Sequence, residues 1–525
     1  FSINSFSQFS KTHYIPPIST SGFGSSSPEI QYLYVSTPNE NPVNVIITPI
    51  GGTPLAVTVS NSQPYEYFMG DGSDTNFIAL SGDSGAVYTD KGYIIEGEDL
   101  IYISARLFTS SSYYQAAGLV SKGLAALGKT FRVGTFESVG SDPAGNFLNF
   151  VSVLATEDNT TVNFSDFPNG ATIINNAATN DILLNSGESY VIAIQPTSVN
   201  PDNDNAMIGV LVESDKPIAV NSGSITGSNQ NTDTDANGQD AGMDQIVPLE
   251  RVGTEYIFVR GIGPDQIERP LIVAHEADTE VYVNGALEFT IALAGEHWSI
   301  PSSFYGVSYD QYDVGPEIGV SSNMYVQTSK PAFAYQFLGG IRPGVDGPFG
   351  AGTGVPNQGM FFVPPINCQT PSIVNNIAAI NKLGPDFTFE GVVTIVTETG
   401  STVLINGSDI ADFPGEVQPV NGNTLFESYT VEGLEGNVSV ESSSQVYVAS
   451  FGAYDYATFG GYYSGFAYQP EIILDEISVD SEGCIPNLEL RLNSISTFDQ
   501  YQWYFNGEII DGAVGNSFTP SEPGY

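Results

Sequence analysis

Basic residues are what this sequence lacks most. Only 14 of its 525 residues are Lys or Arg, whereas 59 are Asp or Glu, so the formal net charge is −45. Proteins that bind nucleic acid or anionic membrane surfaces use clustered Lys and Arg side chains to neutralise the phosphates. The composition therefore excludes both nucleic acid and anionic membrane surfaces as partners.

Cysteines and long apolar runs are scarce as well. Cys368 and Cys484 are the only cysteines, too few for a disulfide framework and without zinc-site spacing. No apolar run reaches the roughly 18 residues of a membrane-spanning helix. Few cysteines and bases beside abundant Ser, Thr, Asn and Gly favour a secreted or surface protein. Residues 1–7 are either the end of a signal peptide or the first ordered segment, and the sequence leaves both open.

A nine-residue pattern, in which a polar turn precedes alternating apolar residues, occurs four times. Its copies are EGEDLIYIS from Glu96, ESDKPIAVN from Glu213, QTSKPAFAY from Gln327 and ESSSQVYVA from Glu441, spaced 117, 114 and 114 residues apart. Two further patterns agree with this period: proline-containing segments at Ile15, Val247 and Val363, and acidic turns around Glu157, Glu276 and Glu398. We therefore predict four repeats of about 116 residues.

The repeats predict an all-β fold. The abundance of Gly, Pro, Tyr and Phe is typical of short strands joined by tight turns, and each repeat contains about seven such strands. Two arrangements fit: a propeller-like ring, or abutting β-sandwiches of immunoglobulin size. The absence of linkers between repeats favours the ring. One helix is predicted over 112–127, where Ala and Leu recur at helical spacing before Gly128.

The predicted domains are an N-terminal segment, the four-repeat domain and a small C-terminal module. Their ranges are 1–10, 11–470 (with units 11–127, 128–243, 244–359 and 360–470) and 471–525. The last range contains alternating LELRL and then YQWYFNG. This layout is typical of a partial immunoglobulin-like module that lacks a strand or two.

The sharpest local signal is a twelve-residue segment, DTDANGQDAGMD, over 233–244. Oxygen ligands at positions 1, 3, 5, 7 and 12 with a glycine at 6 match a calcium loop, because alternate side chains converge on the cation. The predicted ligands are Asp233, Asp235, Asn237, the Gln239 carbonyl and Asp244. Position 12 is Asp rather than Glu and no flanking helices are predicted, so a solvated Asn/Asp/Gly loop is the alternative. Asp244 also fits the repeat framework.

No pattern in the sequence indicates catalysis, so we predict that the protein is not an enzyme. GDSG around Ser84 matches a serine-protease motif, but only His13 lies upstream, outside a suitable context, so a turn is the better interpretation. His275 and His297 lack metal-ligand spacing. The acidic pairs Glu157/Asp158 and Glu276/Asp278 lie at repeated positions, which favours architecture over glycosidase chemistry.

Two aromatic segments are candidates for a ligand surface. The first, YDYATFGGYYSGFAY over 454–468, contains Tyr454, Tyr456, Tyr462, Tyr463 and Tyr468. The second is FYGVSYDQY over 304–312. Exposed tyrosines on β-scaffolds stack on sugars or protein surfaces. Packing between sheets is the alternative interpretation, and the sequence favours it.

Several motifs together resemble a known repeat family. They are SKTHYIPPI at 10–18, LVSKGLAALGKTFRVG at 119–134, the SDKPIAV segment and GMDQIVPL at 242–249. They are similar to the repeat domain named after the N-terminal region of the IgG-Fc-binding mucus protein. Such domains occur at the N-termini of very large surface proteins of gliding Bacteroidota, and the C-terminal residues resemble the immunoglobulin-like repeats that follow in those proteins.

The resemblance implies a non-enzymatic adhesin module at the cell surface. It implies export by the type IX system, association with the outer membrane, and a role in gliding motility and attachment. The implied partners are other surface, secretion or motility proteins, or glycans. The alternatives are a glycan-binding, lectin-like propeller and, less favoured, an extracellular glycosidase or lyase. In the similar immunoglobulin-like repeats the opening cysteine bonds a second one near the last strand. Cys484 has no such neighbour here, so we predict that it is not bonded to Cys368 and that the natural chain continues.

Overall fold

The computed structural model describes most of the chain. The described residues are 9–22, 27–109, 115–137, 147–197, 200–227, 229, 240–261, 263, 265, 267–307, 322–339, 358–367, 370–454, 457–466, 471–478, 487–493, 502–505, 508–515 and 517–519. They form two compact bodies, Phe1–Ala467 and Tyr468–Tyr525. The helices among these residues are 3-10 turns of three or four residues. The prediction of an all-β fold is confirmed.

The larger body contains four successive units. The strands of the first unit are β1 Ser10–Ile15, β2 Ile18–Thr20, β3 Pro28–Ser36, β4 Val43–Pro49, β5 Leu55–Val59, β6 Tyr65–Asp71, β7 Ile78–Leu80, β9 Tyr93–Thr109 and β10 Gln115–Val120. Strand β8 Val87–Tyr88 lies in the same stretch of the chain but pairs with β15 of the second unit. Those of the second are β11 Gly128–Arg132, β12 Leu148–Ala155, β13 Thr160–Ser165, β14 Ile182–Leu184, β15 Ser189–Ile194, β16 Leu211–Gly227 and β17 Asp240–Ile246.

The third and fourth units continue the same order. The strands of the third unit are β18 Gly253–Val259, β19 Leu271–Ala274, β20 Thr279–Val283, β21 Ala286–Ile291, β22 His297–Ser299, β23 Asn323–Gly339 and β24 Gln358–Phe362. Those of the fourth are β25 Ile373–Ile377, β26 Lys382–Leu383, β27 Phe387–Thr388, β28 Glu390–Glu398, β29 Val403–Ile405, β30 Ser408–Asp409, β31 Gln418–Pro419, β32 Phe426–Leu434, β33 Val438–Ser442, β34 Val446–Tyr454 and β35 Ala457–Tyr462. The 3-10 turns are Ser81–Asp83, Gly123–Ala126, Ile174–Asn176, Pro201–Asn203, Leu249–Arg251, Ser302–Tyr305 and Ile410–Asp412.

Each of the first three units is a sandwich of two antiparallel sheets that share one long strand, and the first unit also contains a short parallel pair of β2 with β7. In the first unit, residues 93–97 of β9 pair with β1 and β4, whereas residues 102–109 pair with β3 and β10. In the second and third units, the first part of the long strand (β16 or β23) likewise pairs with strands of one sheet, and its last part pairs with strands of the other sheet. In the fourth unit the long strand is interrupted, so that β33 serves one sheet and β34 the other.

The crossing point of the long strand explains the recurrent nine-residue pattern. Glu98 and Asp99 are exposed where β9 leaves one sheet and enters the other, and Ile101 and Ile103 are buried just beyond. Polar residues are favoured at the crossing because both sheets end there. The apolar residues that follow enter the core, which is why this short pattern is the clearest repeat signal.

The last strands of the four units, β10, β17, β24 and β35, are here called the inner strands. They contact one another in a closed cycle, β10 to β17, β17 to β24, β24 to β35 and β35 to β10. Hydrogen bonds join each pair of neighbouring units: Asn221 Nδ2 to Pro16 O at 2.8 Å, Tyr335 Oη to Arg132 O at 2.6 Å, Asn323 Nδ2 to Ser428 Oγ at 2.8 Å, and Arg106 Nη2 to Ala378 O at 2.8 Å. The larger body is therefore a ring of abutting sandwiches, which combines the two predicted arrangements.

The structure differs from the sequence-based predictions at the helix, at two unit boundaries and at the proline segments. The predicted helix over 112–127 is wrong, because residues 115–120 form inner strand β10 and only Gly123–Ala126 make a 3-10 turn. Small residues favoured a helix locally, but they allow close packing of the inner strands instead. The predicted boundaries after residues 243 and 359 fall inside β17 and β24. The proline segments are not equivalent either: one follows the first strand of its unit, whereas those at Val247 and Val363 follow inner strands.

The smaller body contains an antiparallel sheet and a hairpin. The sheet has the order β36 Glu471–Ser478, β37 Asn487–Asn493 and β40 Ser517–Phe518, and the hairpin joins β38 Tyr504–Phe505 to β39 Glu508–Ile509. Trp503 stacks on Phe518 with ring centroids 5.7 Å apart. Its indole Nε1 donates to Gly515 O at 2.9 Å.

Candidate binding surface and buried polar hub

Two carboxylates of inner strand β17 bridge the neighbouring inner strands. Asp240 accepts hydrogen bonds from the backbone N–H of Ala116 on β10 (3.2 Å) and of Gln358 on β24 (3.0 Å). Asp244 accepts from the N–H of Val120 (3.2 Å) and of Phe362 (2.9 Å) on the same two strands. The side chains thus replace the ladder hydrogen bonds that the inner strands lack between one another, and both are fully buried.

Asp244 also forms a buried ion pair. Lys122 Nζ lies 3.0 Å from both carboxylate oxygens, and neither side chain is exposed to solvent. Burial lowers the pKa of Lys122 and raises that of Asp244, while their mutual attraction opposes both shifts. Burial likewise raises the pKa of Asp240, whose carboxylate accepts backbone N–H groups alone.

A buried histidine lies near this pair. The His13 ring Nδ1 lies 2.9 Å from Ser121 Oγ, and Nε2 donates to Ile101 O at 3.0 Å. Ser121 Oγ in turn donates to Gln245 Oε1 at 2.9 Å. His13 is fully buried, and desolvation lowers its pKa to about 4. The cluster of Lys122, Asp240, Asp244, His13 and Gln245 is here called the polar hub.

The scarce bases are concentrated inside the ring. Of the 14 Lys and Arg residues, Lys122, Arg106, Arg132 and Arg260 are 0 to 3% exposed. Arg106 donates to three carbonyls of the fourth unit and lies over the rings of Tyr34 and Phe459, 3.9 and 4.5 Å from their centroids. Arg106 and Lys122 therefore join different units, whereas the Arg132 and Arg260 side chains bond within their own units, to Asp166 and Asp265. None of the four is available to an acidic partner.

Glu268 is a third buried carboxylate, in the third unit. It accepts hydrogen bonds from the backbone N–H groups of Gly261, Gly263 and Gly339 at 2.9 to 3.0 Å. Burial raises its pKa to about 7, although the nearby Arg260 guanidinium acts in the opposite direction. Like the aspartates of the polar hub, it satisfies backbone donors instead of facing a cleft.

The predicted calcium ligands lie mostly outside the described residues, and only Asp244 lies within them. Its oxygens are engaged by Lys122 Nζ and by three backbone N–H groups. The calcium hypothesis therefore loses its position-12 ligand and stays a prediction for Asp233, Asp235, Asn237 and Gln239. The described residues contain no group of three or more acidic, His or Cys side chains arranged to hold a metal.

The structure describes the side chains of two of the five tyrosines in the predicted ligand surface. Tyr462 and Tyr463 are 3 and 4% exposed, so they pack inside the ring and do not face a ligand. Tyr462 Oη lies 3.4 Å from Gln336 Oε1 of the third unit. Tyr456 and Tyr468 lie outside the described residues, and the side chain of Tyr454 does as well. The two cysteines also lie outside them.

The remaining sequence candidates occupy structural positions. Ser84 lies in a turn, where its hydroxyl donates to Val191 O (3.3 Å) and accepts from the Ala193 N–H (3.1 Å) of the second unit. The acidic pairs at Glu157 and Glu276 lie on exposed turns, between β12 and β13 and between β19 and β20. These pairs belong to different units and do not form one site.

Sequence reasoning missed an exposed apolar edge on the third unit. Strand β21 is an edge strand of its sheet, and Leu287 and Phe289 on one side of it are 51 and 40% exposed. Phe289 stacks on Trp298 with ring centroids 5.0 Å apart, and Trp298 meets Phe304 edge to face at 6.4 Å. The cluster of Leu287, Phe289, Trp298 and Phe304 is here called the aromatic edge. The alternation in LEFTI was the available signal, but alternation alone does not show which face is left open.

Fold and sites together define a repeat protein of β-sandwiches that presents surfaces. The buried titratable groups described above serve architecture, and the aromatic edge is exposed. A family model described as IgGFc binding protein matches residues 117–452, from inner strand β10 to β34. The match spans more than half of the chain, so the chain belongs to this family, as its motifs predicted. Membership indicates an extracellular or secreted binding module.

Other comparisons add little. Comparison with curated proteins gives no match. A solved structure, an anti-sigma factor domain-containing protein, is 12% identical, with 66% of this chain and 79% of that chain covered, but the TM-score is 0.09. That similarity carries no argument. Among the described residues, no helix is long and apolar enough to cross a membrane.

Proposed function

We propose that this chain is a non-enzymatic binding module of a secreted cell-surface adhesin that acts in attachment and gliding motility. The observation that carries the proposal is the family match over 117–452, which covers most of the ring. The motif resemblance supports export by the type IX system and outer-membrane association in Bacteroidota. The use of buried bases and carboxylates to join the units supports a presenting role over a catalytic one.

Removal of the protein from its native cell tests this proposal. We expect cells that lack it to attach and spread less on glass while growing at the normal rate. Antibody against the ring should label intact cells, which reports surface display independently of motility. Unchanged attachment and spreading in the deletion strain contradict the adhesin proposal. Absence of surface label contradicts the localisation.

The second candidate is a glycan-binding, lectin-like module, and the aromatic edge favours it. Aromatic rings stack on the apolar faces of sugars, and Phe289 is partly exposed beside Trp298. Saturable binding of the full chain to a glycan array, lost in Leu287→Ala plus Phe289→Ala, supports this function. Leu183→Ala is the matched control, since Leu183 is 56% exposed on β14, which has the corresponding place in the second unit. Purified IgG Fc is included as a protein probe because of the family's name.

A further inference from the structure

Lys122 and Asp244 meet in a closed site between the first two units. Lys122 Nζ is 3.0 Å from each carboxylate oxygen, both side chains are fully buried, and the Phe466 ring lies 5.4 Å from Nζ. We propose that the two side chains condense to an amide, so that a covalent bond between Lys122 Nζ and Asp244 Cγ joins the first unit to the second.

The ion pair brings the amine close to the carboxyl carbon. Because Nζ is 3.0 Å from each of the two oxygens, it lies roughly 3.4 Å from Cγ and close to the carboxylate plane. A shift of the Lys122 amine towards one face of that plane puts its electron pair over Cγ, at the separation of reacting atoms held ready for bond formation. The carboxyl group is fixed in place, since Oδ1 accepts from the N–H of Val120 and Gln245 while Oδ2 accepts from that of Phe362. The two donors on Oδ1 are placed to stabilise the oxyanion that forms when the carbon is attacked.

Burial also favours the reactive protonation states. It lowers the pKa of Lys122 and raises that of Asp244, and both shifts favour transfer of one proton from the ammonium to the carboxylate. That transfer gives an amine with a free electron pair beside a carboxylic acid, which is the pair of groups that condenses. In water the same two groups would remain charged and unreactive towards each other.

The reaction needs no other reagent. The Nζ electron pair attacks Cγ to form the C–N bond, and the carbonyl electrons move to Oδ1. A proton from nitrogen then passes to the hydroxyl oxygen Oδ2, the Cγ–Oδ2 bond breaks, and one water molecule leaves. The product is a secondary amide whose oxygen keeps its two backbone donors. Nothing is oxidised or reduced.

The fold favours the product as well. Desolvation makes a buried ion pair costly, and condensation removes both charges. Solvent is excluded from the pair, so the reverse hydrolysis lacks its water. A covalent link between units also suits a protein that holds a cell to a surface, but the chemistry does not depend on that function.

The mass of the full chain tests the proposal. Denatured, reduced wild-type protein is expected to be lighter than its sequence by one water molecule. After proteolysis, a branched peptide should join the segments that contain Lys122 and Asp244, and trypsin should not cleave after Lys122. The branched peptide matters because an aspartyl succinimide loses the same mass without joining two segments.

Two variants complete the test. Lys122→Met and Asp244→Ala are each expected to have their full sequence mass and no branched peptide. Lys129→Met is the matched control, since it removes an exposed lysine near Lys122 in the sequence and should keep the branched peptide. Wild-type protein with its full sequence mass overturns the proposal, whether or not the variants fold. A water loss located at any other pair of residues also overturns it.

Discussion

Asp240 and Asp244 are four residues apart on β17, and their carboxylates join the same two inner strands. Asp240 receives N–H groups from Ala116 and Gln358, and Asp244 receives those from Val120 and Phe362, again four residues further along each strand. Residues four apart on a strand lie on the same face. The matched spacing on three strands therefore fixes the register between three units of the ring.

Arg106 is expected to be essential for closing the ring. Arg106→Met removes the guanidinium donor from the carbonyls of Ala378, Ala379 and Lys382. The Ala379 carbonyl keeps the Lys382 N–H as a donor, and the Lys382 carbonyl keeps Tyr34 Oη. Each unsatisfied carbonyl costs about 1 to 3 kcal/mol when buried. We expect a clear fall in the midpoint of chemical unfolding. Lys129→Met removes the same charge from an exposed position and should change the midpoint little. Equal effects of the two variants contradict a specific role for the buried guanidinium.

The inner strands are expected to tolerate no side chain at Gly242. A Cβ there meets the Phe136 ring, with Cε1 at 2.7 Å, and Met360 Cβ at 2.9 Å. Gly242→Ala should destabilise the ring by about 1 to 3 kcal/mol, as overpacking of cores does. Gly82→Ala is the control, because a Cβ at that position meets nothing within 4 Å. A thermal scan compares the two variants with the wild type, and an unchanged melting temperature in Gly242→Ala contradicts the close packing.

His13 and Glu268 are expected to give opposite pH dependences. The pKa of His13 falls from 6.5 to about 4 on folding, so its contribution is present above pH 6.5 and is lost as pH falls towards 4. The pKa of Glu268 rises from 4.5 to about 7, so its contribution is present below pH 4.5 and is lost as pH rises through 7. Each shift corresponds to about 3 kcal/mol in the free energy of unfolding.

Single variants separate these two contributions. In the wild type, the contribution of His13 to the free energy of unfolding grows as the pH rises from 4 to 6.5. The His13→Gln variant should lack this increase. The contribution of Glu268 falls as the pH rises from 4.5 to 7, and the Glu268→Gln variant should lack this decrease in the free energy of unfolding. Chemical unfolding at a series of pH values measures both, with His297→Asn as a control for a partly exposed imidazole. Difference curves of the same sign for the two variants contradict the assignment.

Calcium binding, if the 233–239 loop provides it, is expected to be independent of Asp244. Titration calorimetry of metal-free full chain measures the affinity, and Asp233→Ala plus Asp235→Ala should abolish it, because these residues supply the first two ligands of the loop. Asp244→Asn should leave binding unchanged, since its oxygens face Lys122. Heat that persists in the double variant assigns calcium to a different site.

The sequence by itself determined the fold class and the repetition. Alternating apolar residues after a polar turn predict a strand wherever they occur, so four copies of the pattern predicted four β-units. Local patterns gave these results because a strand's two faces are specified by neighbouring residues. The same local reasoning failed at 112–127, where small residues suited a helix. In the ring they suit β10 better, because neighbouring inner strands approach it closely.

Only the tertiary structure decided what Asp244 does. In the sequence it ends a calcium-like loop, whereas in the ring it faces Lys122, which is 122 residues away. The aromatic edge was equally invisible, since the exposure of Phe289 depends on which sheet edge stays uncovered. The composition established that bases are scarce, but the burial of Arg106 and Lys122 between units follows from ring closure. Contacts between distant strands set these outcomes, and a local pattern contains no information about which distant strand will be its neighbour.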